Sequence, residues 1–144
     1  FFFKQKTAYE IPKRDWSSDV CSSDLDHVIH TERYRVPKEV LEACADARRR
    51  RKRVVAVGTT AARALESAAT TGTFEGDTNL FIYPGYEWKL VDRLMTNFHM
   101  PRTTLLLMIS SFVGPRWREL YAEAIRQKYR FLSFGDAMLL DRHA

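Results

Sequence analysis

Long apolar stretches are missing from this chain. The longest, Leu105–Ile109, falls far short of the roughly 20 residues that a membrane-spanning helix needs, so no transmembrane helix is expected. Cysteine is scarce. Cys21 and Cys44 are the only two, at no spacing that suits a metal or a redox pair, so a disulfide scaffold is excluded and a reducing, cytoplasmic setting is expected. No GxGxxG fingerprint and no Walker phosphate loop occurs, which counts against a Rossmann-type methyltransferase. His27 and His30 stand near Glu32 but lack a second ligand pair, so no metal site is expected. Positive charge is also missing from most of the chain. The net charge is +5, yet Arg48-Arg49-Arg50-Arg51-Lys52-Arg53 carries six cations, and without them the remaining cations fall one short of the 18 acids.

What is present describes an ordinary globular protein of one domain's size: 144 residues, 45% hydrophobic and 28% charged. The arginine run reads in two ways. It is either a solvated helix C-terminus, where cations complement the helix dipole, or a patch that meets phosphate.

The apolar spacing gives a coarse order of elements. A helix opens at Pro37 with Val40, Leu41 and Cys44 on one face, and runs out in the arginines. Val54–Val57 is short and β-branched, a strand expected to be buried on both faces. The stretch after Gly58 reads as a helix capped by Thr59 or Thr60 and ended by Gly72. Asn79–Gly85 reads as a strand stopped by a Pro-Gly turn, and Trp88–Val91 as a short third strand. Thr103–Phe112 fits a strand or a buried helix, with Thr103 as a cap favouring helix. Trp117, Leu120, Tyr121, Ala124 and Ile125 mark one helical face. Tyr129–Ser133 reads as a closing strand, with a turn at Gly135-Asp136. Helix, strand and helix in sequence point to a layered α/β fold.

Four places carry chemistry. Gly58-Thr59-Thr60 lies between a strand and a helix, where free backbone N–H groups and the helix dipole favour an anion; the alternative is a plain capped turn. Arg63, one turn on, either forks a carboxylate or phosphate or faces water. His99, between Asn97 and Pro101, is either a proton acceptor or a satisfied structural residue. Gly135-Asp136 either presents a carboxylate to a ligand hydroxyl or is an ordinary turn.

Taken together, "DHVIHTERYRVP", "RVVAVGTTAARALESAA", "NLFIYPGYEWKLVDRLMTNFHMPRTTLLLMISSFVG" and "YRFLSFGDAMLL" follow one another as in the S-adenosylmethionine:tRNA ribosyltransferase-isomerase family of queuosine synthesis. The resemblance covers Asp26 to Leu140 and corresponds to the C-terminal part of that family. Ala61-Ala62, the arginine run and Thr103 depart from the family's usual Ser-Val, glycine-containing turn and Ser. The resemblance implies a fragment, residues 26–144, of a layered α/β domain without the family's N-terminal part and inserted β-barrel. Open strand edges, exposed apolar faces and no activity are expected of such a piece alone, and a monomer is expected at full length.

It also implies the reaction: the ribosyl part of S-adenosylmethionine passes to 7-aminomethyl-7-deazaguanine at the wobble position of a tRNA and isomerises to epoxyqueuosine. His99 is the expected proton acceptor. Gly58, Thr59, Thr60, Arg63, Asn97, Gly135 and Asp136 are expected to bind substrate. Arg51, Arg53 and Arg102 are expected to contact tRNA. S-adenosylmethionine is the co-substrate, and no metal or membrane is implied. A non-catalytic RNA-binding module, or a paralogue with another substrate, is the alternative. Residues 1–25 fall outside the resemblance. Lys4–Ile11 and Asp15–Leu25 match the translation of a short-read sequencing adapter, so this segment is expected to be foreign to the protein.

Overall fold

The computed structural model describes residues 30–143; the expectations for residues 1–25 and for His27 lie outside the described residues. The chain runs β1 (Glu32–Arg35), α1 (Lys38–Arg49), β2 (Val55–Val57), α2 (Thr59–Thr71), β3 (Glu75–Thr78), β4 (Arg93–Asn97), α3 (Thr104–Val113), a 3-10 turn (Gly114–Arg116), α4 (Trp117–Arg126) and β5 (Ala137–Asp141). β2, β4 and β5 form one sheet with β4 central, parallel to β2 and antiparallel to β5. β1 and β3 form a separate antiparallel ribbon. The architecture is the expected mixed α/β one.

The helices follow the spacing. Thr103 is extended at φ −121°, ψ 151° and its hydroxyl accepts from the Leu106 amide, so α3 is a helix rather than a strand. It is apolar almost all round and correspondingly buried, from Leu106 to Ser110 and again at Phe112 and Val113. α4 buries only Trp117, Tyr121 and Ala124 and turns its charges outward. α2 ends at Gly72, left-handed at φ 73°, as its sequence predicts. Its start is a correction: Gly58 at φ 93°, not Thr59 or Thr60, is the cap, and no side chain bonds the first amides. The core joins Ala56, Leu94 and Leu140 of the sheet to Ala62 and Leu65 of α2, Ile109 and Phe112 of α3, and Trp117 and Tyr121 of α4.

The strands are where expectation fails. Trp88–Val91 is not a strand, because the amides of Lys89, Leu90 and Val91 all donate at 2.8 Å to the carboxylate of Glu66 instead of to a neighbouring strand. The strand begins two residues later, at Arg93. Asn79–Gly85 is irregular, although its turn is as expected: the Tyr86 amide donates to the Tyr83 carbonyl and Gly85 takes φ 99°. Tyr129–Ser133 is a clasp, with Leu132 at φ 71° breaking any extended run, and β5 lies beyond it. β1 and β3 escape prediction because their apolar content is one residue, Tyr34, whose ring lies over Gly76 of β3 and whose hydroxyl meets Thr71 and Thr73.

β2 is also not buried on both faces. Val54 and Ala56 point into the core, but Val55 is 48% and Val57 68% exposed. Met95 and Leu139 lie beside Val57 in register and share this bare outward face. Neither outer edge of the three-stranded sheet is paired among the described residues.

Candidate functional site at the carboxyl edge of the sheet

Because β2 and β4 are parallel, their carboxyl ends emerge on one edge. β5 is antiparallel to β4 and in register, with Ala137 opposite Asn97, so the turn before it arrives at the same edge. This topology collects Gly58-Thr59-Thr60 after β2, Asn97 and His99 at the end of β4, and Gly135-Asp136 before β5. The Gly58 amide donates to the Met95 carbonyl at 2.8 Å, tying the turn to β4. Two strand spacings of about 4.8 Å put the two turns roughly 10 Å apart. Residues scattered over nearly eighty positions thus converge where α/β sheets bind ligands.

On the β2 side, the uncapped start of α2 leaves its first amides without a side-chain acceptor. Arg63 does not face water. Its side chain is 14% exposed and Nη1 lies 2.8 Å from a Glu32 carboxylate oxygen. Its Nε and Nη2 are buried with no hydrogen-bond partner among the described residues. A buried guanidinium donor without an acceptor costs on the order of 1–3 kcal/mol, more for a charged group, so an anion placed there would be held firmly.

His99 is half-buried in the connection from β4 to α3. Its Nε2 is 2.9 Å from the Thr96 hydroxyl, and its backbone amide donates to the Tyr121 hydroxyl at 3.0 Å. Burial lowers its pKa from the usual 6.5 to about 4, so the imidazole is uncharged at neutral pH. An aromatic group stands behind it: Phe98 stacks on Tyr129 and meets Tyr121 and Phe131 at centroid distances of 5.3 to 5.6 Å.

Asn97 joins the third turn to the first two, its amide donating to the Asp136 carbonyl at 3.2 Å. The Asp136 carboxylate is engaged by its own loop. It accepts from the Arg130 amide at 2.7 Å and from the Arg130 guanidinium at 3.1 Å, and these bonds hold it below the ordinary carboxylate range. Asp136 therefore shapes this wall more directly than it offers a free oxygen.

The tRNA-contact candidates divide. Arg102, at φ 57°, sits in the connection after β4, at the carboxyl edge. Arg51 and Arg53 sit at the other end of the sheet, a strand length of about 13 Å away. There Arg48, Arg51, Lys52, Arg53, Arg93 and Arg142 surround an open cleft of about 510 Å³ with two carboxylates, Asp92 and Asp141. Arg53 and Arg93 both pair with Asp141, while Arg49 and Arg50 pair with Asp46 inside α1. Part of the run is thus paired within its own helix, while Arg48 and the tail line a cleft richer in cations than in acids.

Glu66 escapes sequence reasoning altogether. A glutamate among alanines on an exposed-looking helix reads as surface, yet it is 0% exposed. The Tyr86 hydroxyl also donates to it, at 3.1 Å. It fixes the loop that delivers β4, and with it Asn97 and His99. Among the described residues no His, Cys, Asp and Glu side chains cluster as a metal site, and no helix is long and apolar enough to cross a membrane.

The family model described as "Queuosine biosynthesis protein" matches residues 18–140. An S-adenosylmethionine:tRNA ribosyltransferase-isomerase of Rubrobacter xylanophilus is 57% identical over 116 residues, 80% of this chain and 34% of that protein. One of Thiobacillus denitrificans is 53% identical over 121 residues, 81% of this chain and 35% of that protein. The crystal structure of an S-adenosylmethionine tRNA ribosyltransferase from Thermotoga maritima superposes with a TM-score of 0.70 at 49% identity, covering 76% of this chain and 39% of that one. The chain spans about a third of the length of the curated relatives it matches.

Proposed function

The chain belongs to the queuosine biosynthesis protein family, and from that premise we propose that it forms part of a cytoplasmic enzyme acting on S-adenosylmethionine and tRNA. The reaction moves the ribosyl group of S-adenosylmethionine to the aminomethyl group of 7-aminomethyl-7-deazaguanine at the wobble position. The positive sulfonium acidifies the adjacent 5′ carbon, so a modest base can take a proton there. Adenine then leaves, the amine attacks the opened sugar, and methionine departs as the epoxide closes.

The observation that carries the ligand assignment is Arg63: two buried guanidinium nitrogens without an acceptor among the described residues, on the helix whose start after β2 has no side-chain cap. That donor set suits the methionine carboxylate. His99, uncharged at neutral pH, is free to accept a proton, although the burial that lowers its pKa to about 4 makes it a weaker base than an exposed histidine. Asn97, Gly135 and Asp136 form the opposite wall. The cationic cleft around Arg51 and Arg53 suits the phosphates of the anticodon stem, and Arg102 extends positive charge to the catalytic edge.

Two measurements test this. In the whole enzyme carrying this sequence, Arg63→Gln weakens S-adenosylmethionine binding by about tenfold or more, while His99→Ala retains binding and lowers turnover by roughly a hundredfold. Salt-sensitive tRNA binding with no affinity for S-adenosylmethionine would replace this reading by that of a non-catalytic RNA-binding module.

A further inference from the structure

The clasp before β5 fixes the backbone on both sides of an exposed aromatic side chain. Arg130 and Asp136 close it twice, the Asp136 amide donating to the Arg130 carbonyl at 2.9 Å and the Arg130 amide to the Asp136 carboxylate. Gly135 lies so close to the Arg130 carbonyl that any Cβ there would stand 2.3 Å from its oxygen. Leu132 takes a left-handed φ of 71°, which costs a branched side chain energy, and its amide is held by the Phe98 carbonyl. Phe131, at 0% exposed, anchors the clasp in the aromatic group beneath it. Between these restraints Phe134 stands 83% exposed, the most exposed large apolar side chain among the described residues. The backbone that carries it is tied down at Leu132 on one side and at Gly135 and Asp136 on the other.

We propose that Phe134 is a stacking platform for a purine base at the carboxyl edge. Aromatic faces bind bases by stacking, which needs an accessible ring and tolerates many edge contacts. Asn97 is tied to the same clasp, and its amide group can meet a base edge. The start of α2 lies roughly 10 Å across the strand ends, a span suited to a nucleoside that carries a charged tail. This inference deepens the proposed function and rests on it: a ligand whose anionic end meets Arg63 would place its base toward Phe134.

The test uses the whole enzyme carrying this sequence and its Phe134→Trp and Phe134→Ala variants, with far-UV circular dichroism to check that each retains the parent's fold. Adenosine and guanosine, titrated separately, quench the fluorescence of Phe134→Trp saturably relative to the parent, while ribose 5-phosphate does not. The stronger quencher names the base. By calorimetry Phe134→Ala loses adenosine or guanosine affinity by about tenfold or more. The platform is overturned by unchanged affinity in Phe134→Ala, or by no saturable quenching with either purine at millimolar concentration. If S-adenosylmethionine still binds in an Arg63-dependent way while Phe134→Ala is silent, only the platform falls. If S-adenosylmethionine binding is absent throughout, the functional reading falls with it.

Discussion

Replacing Glu66 with alanine removes the acceptor of four hydrogen bonds at once. The amides of Leu90 and Val91 share one oxygen, and the Lys89 amide and Tyr86 hydroxyl share the other. Their fates differ. Val91 is 0% exposed, so its amide is stranded, at about 2–3 kcal/mol. Lys89, Leu90 and Tyr86 are reachable by water and lose about 0.5–1 kcal/mol each. The total is about 5 kcal/mol, a large part of the 5–15 kcal/mol that holds a domain of this size. Glu66→Gln is the finer probe. Its carbonyl can keep Leu90 and Val91, and the Tyr86 hydroxyl can turn to accept from the new amide, leaving only Lys89 facing a donor. A cost of about 1–2 kcal/mol follows. Urea unfolding monitored by circular dichroism reads both values, and amide hydrogen exchange in the glutamine variant should accelerate most at Lys89. An alanine variant less than about 1 kcal/mol weaker than the parent, or a glutamine variant weaker than the alanine one, would refute the idea that this carboxylate organises the loop into β4.

Two further outcomes follow from single positions. Gly135→Ala forces a methyl into the Arg130 backbone, which cannot swing away as a side chain would; a loss of about 2–3 kcal/mol is expected in thermal unfolding, and an unchanged midpoint would contradict the close approach. His99, whose pKa falls from 6.5 on unfolding's side to about 4 in the fold, takes up its proton more readily when unfolded; stability is therefore full above about pH 6.5, declines as the pH falls toward 4, and levels off below. His99→Gln should flatten that slope, and an identical slope in the variant would show that another group carries it.

The helices were legible because each writes its burial in its own spacing: α4 through Trp117, Tyr121 and Ala124, and α3 through an apolar run closed by the Thr103 cap. Among the strands only β2, expected at Val54–Val57 and observed at Val55–Val57, was legible, and the reasons the others were not are particular. Val91 looks like the end of a strand, but its amide belongs to a glutamate twenty-five residues earlier, a partner that no local pattern announces. Tyr129–Ser133 has strand composition, yet Arg130 bonds forward to Asp136 and Leu132 turns left-handed, so the apolar residues serve a clasp. β1 and β3 carry too little apolar content to be noticed; Tyr34, seated over Gly76, is their one apolar tie to the core, beside polar ties from Glu32 to Arg63 and Thr78 to Ser67.

The candidate site was legible as residue types and not as a place. Only the pairing of β4 with a parallel and an antiparallel neighbour brings Gly58, Asn97 and Asp136 to one edge, and sends Arg51 and Arg53 to the other. That division has a consequence for any RNA that engages both ends. It must lie along the outward side of the sheet or around its rim, because the helices occupy the inner side. The outward side is apolar at Val55, Val57, Met95 and Leu139, a poor surface for a phosphate backbone. On the proposed reading a path around the rim fits better, with phosphates in the cationic cleft and a base delivered to the carboxyl edge.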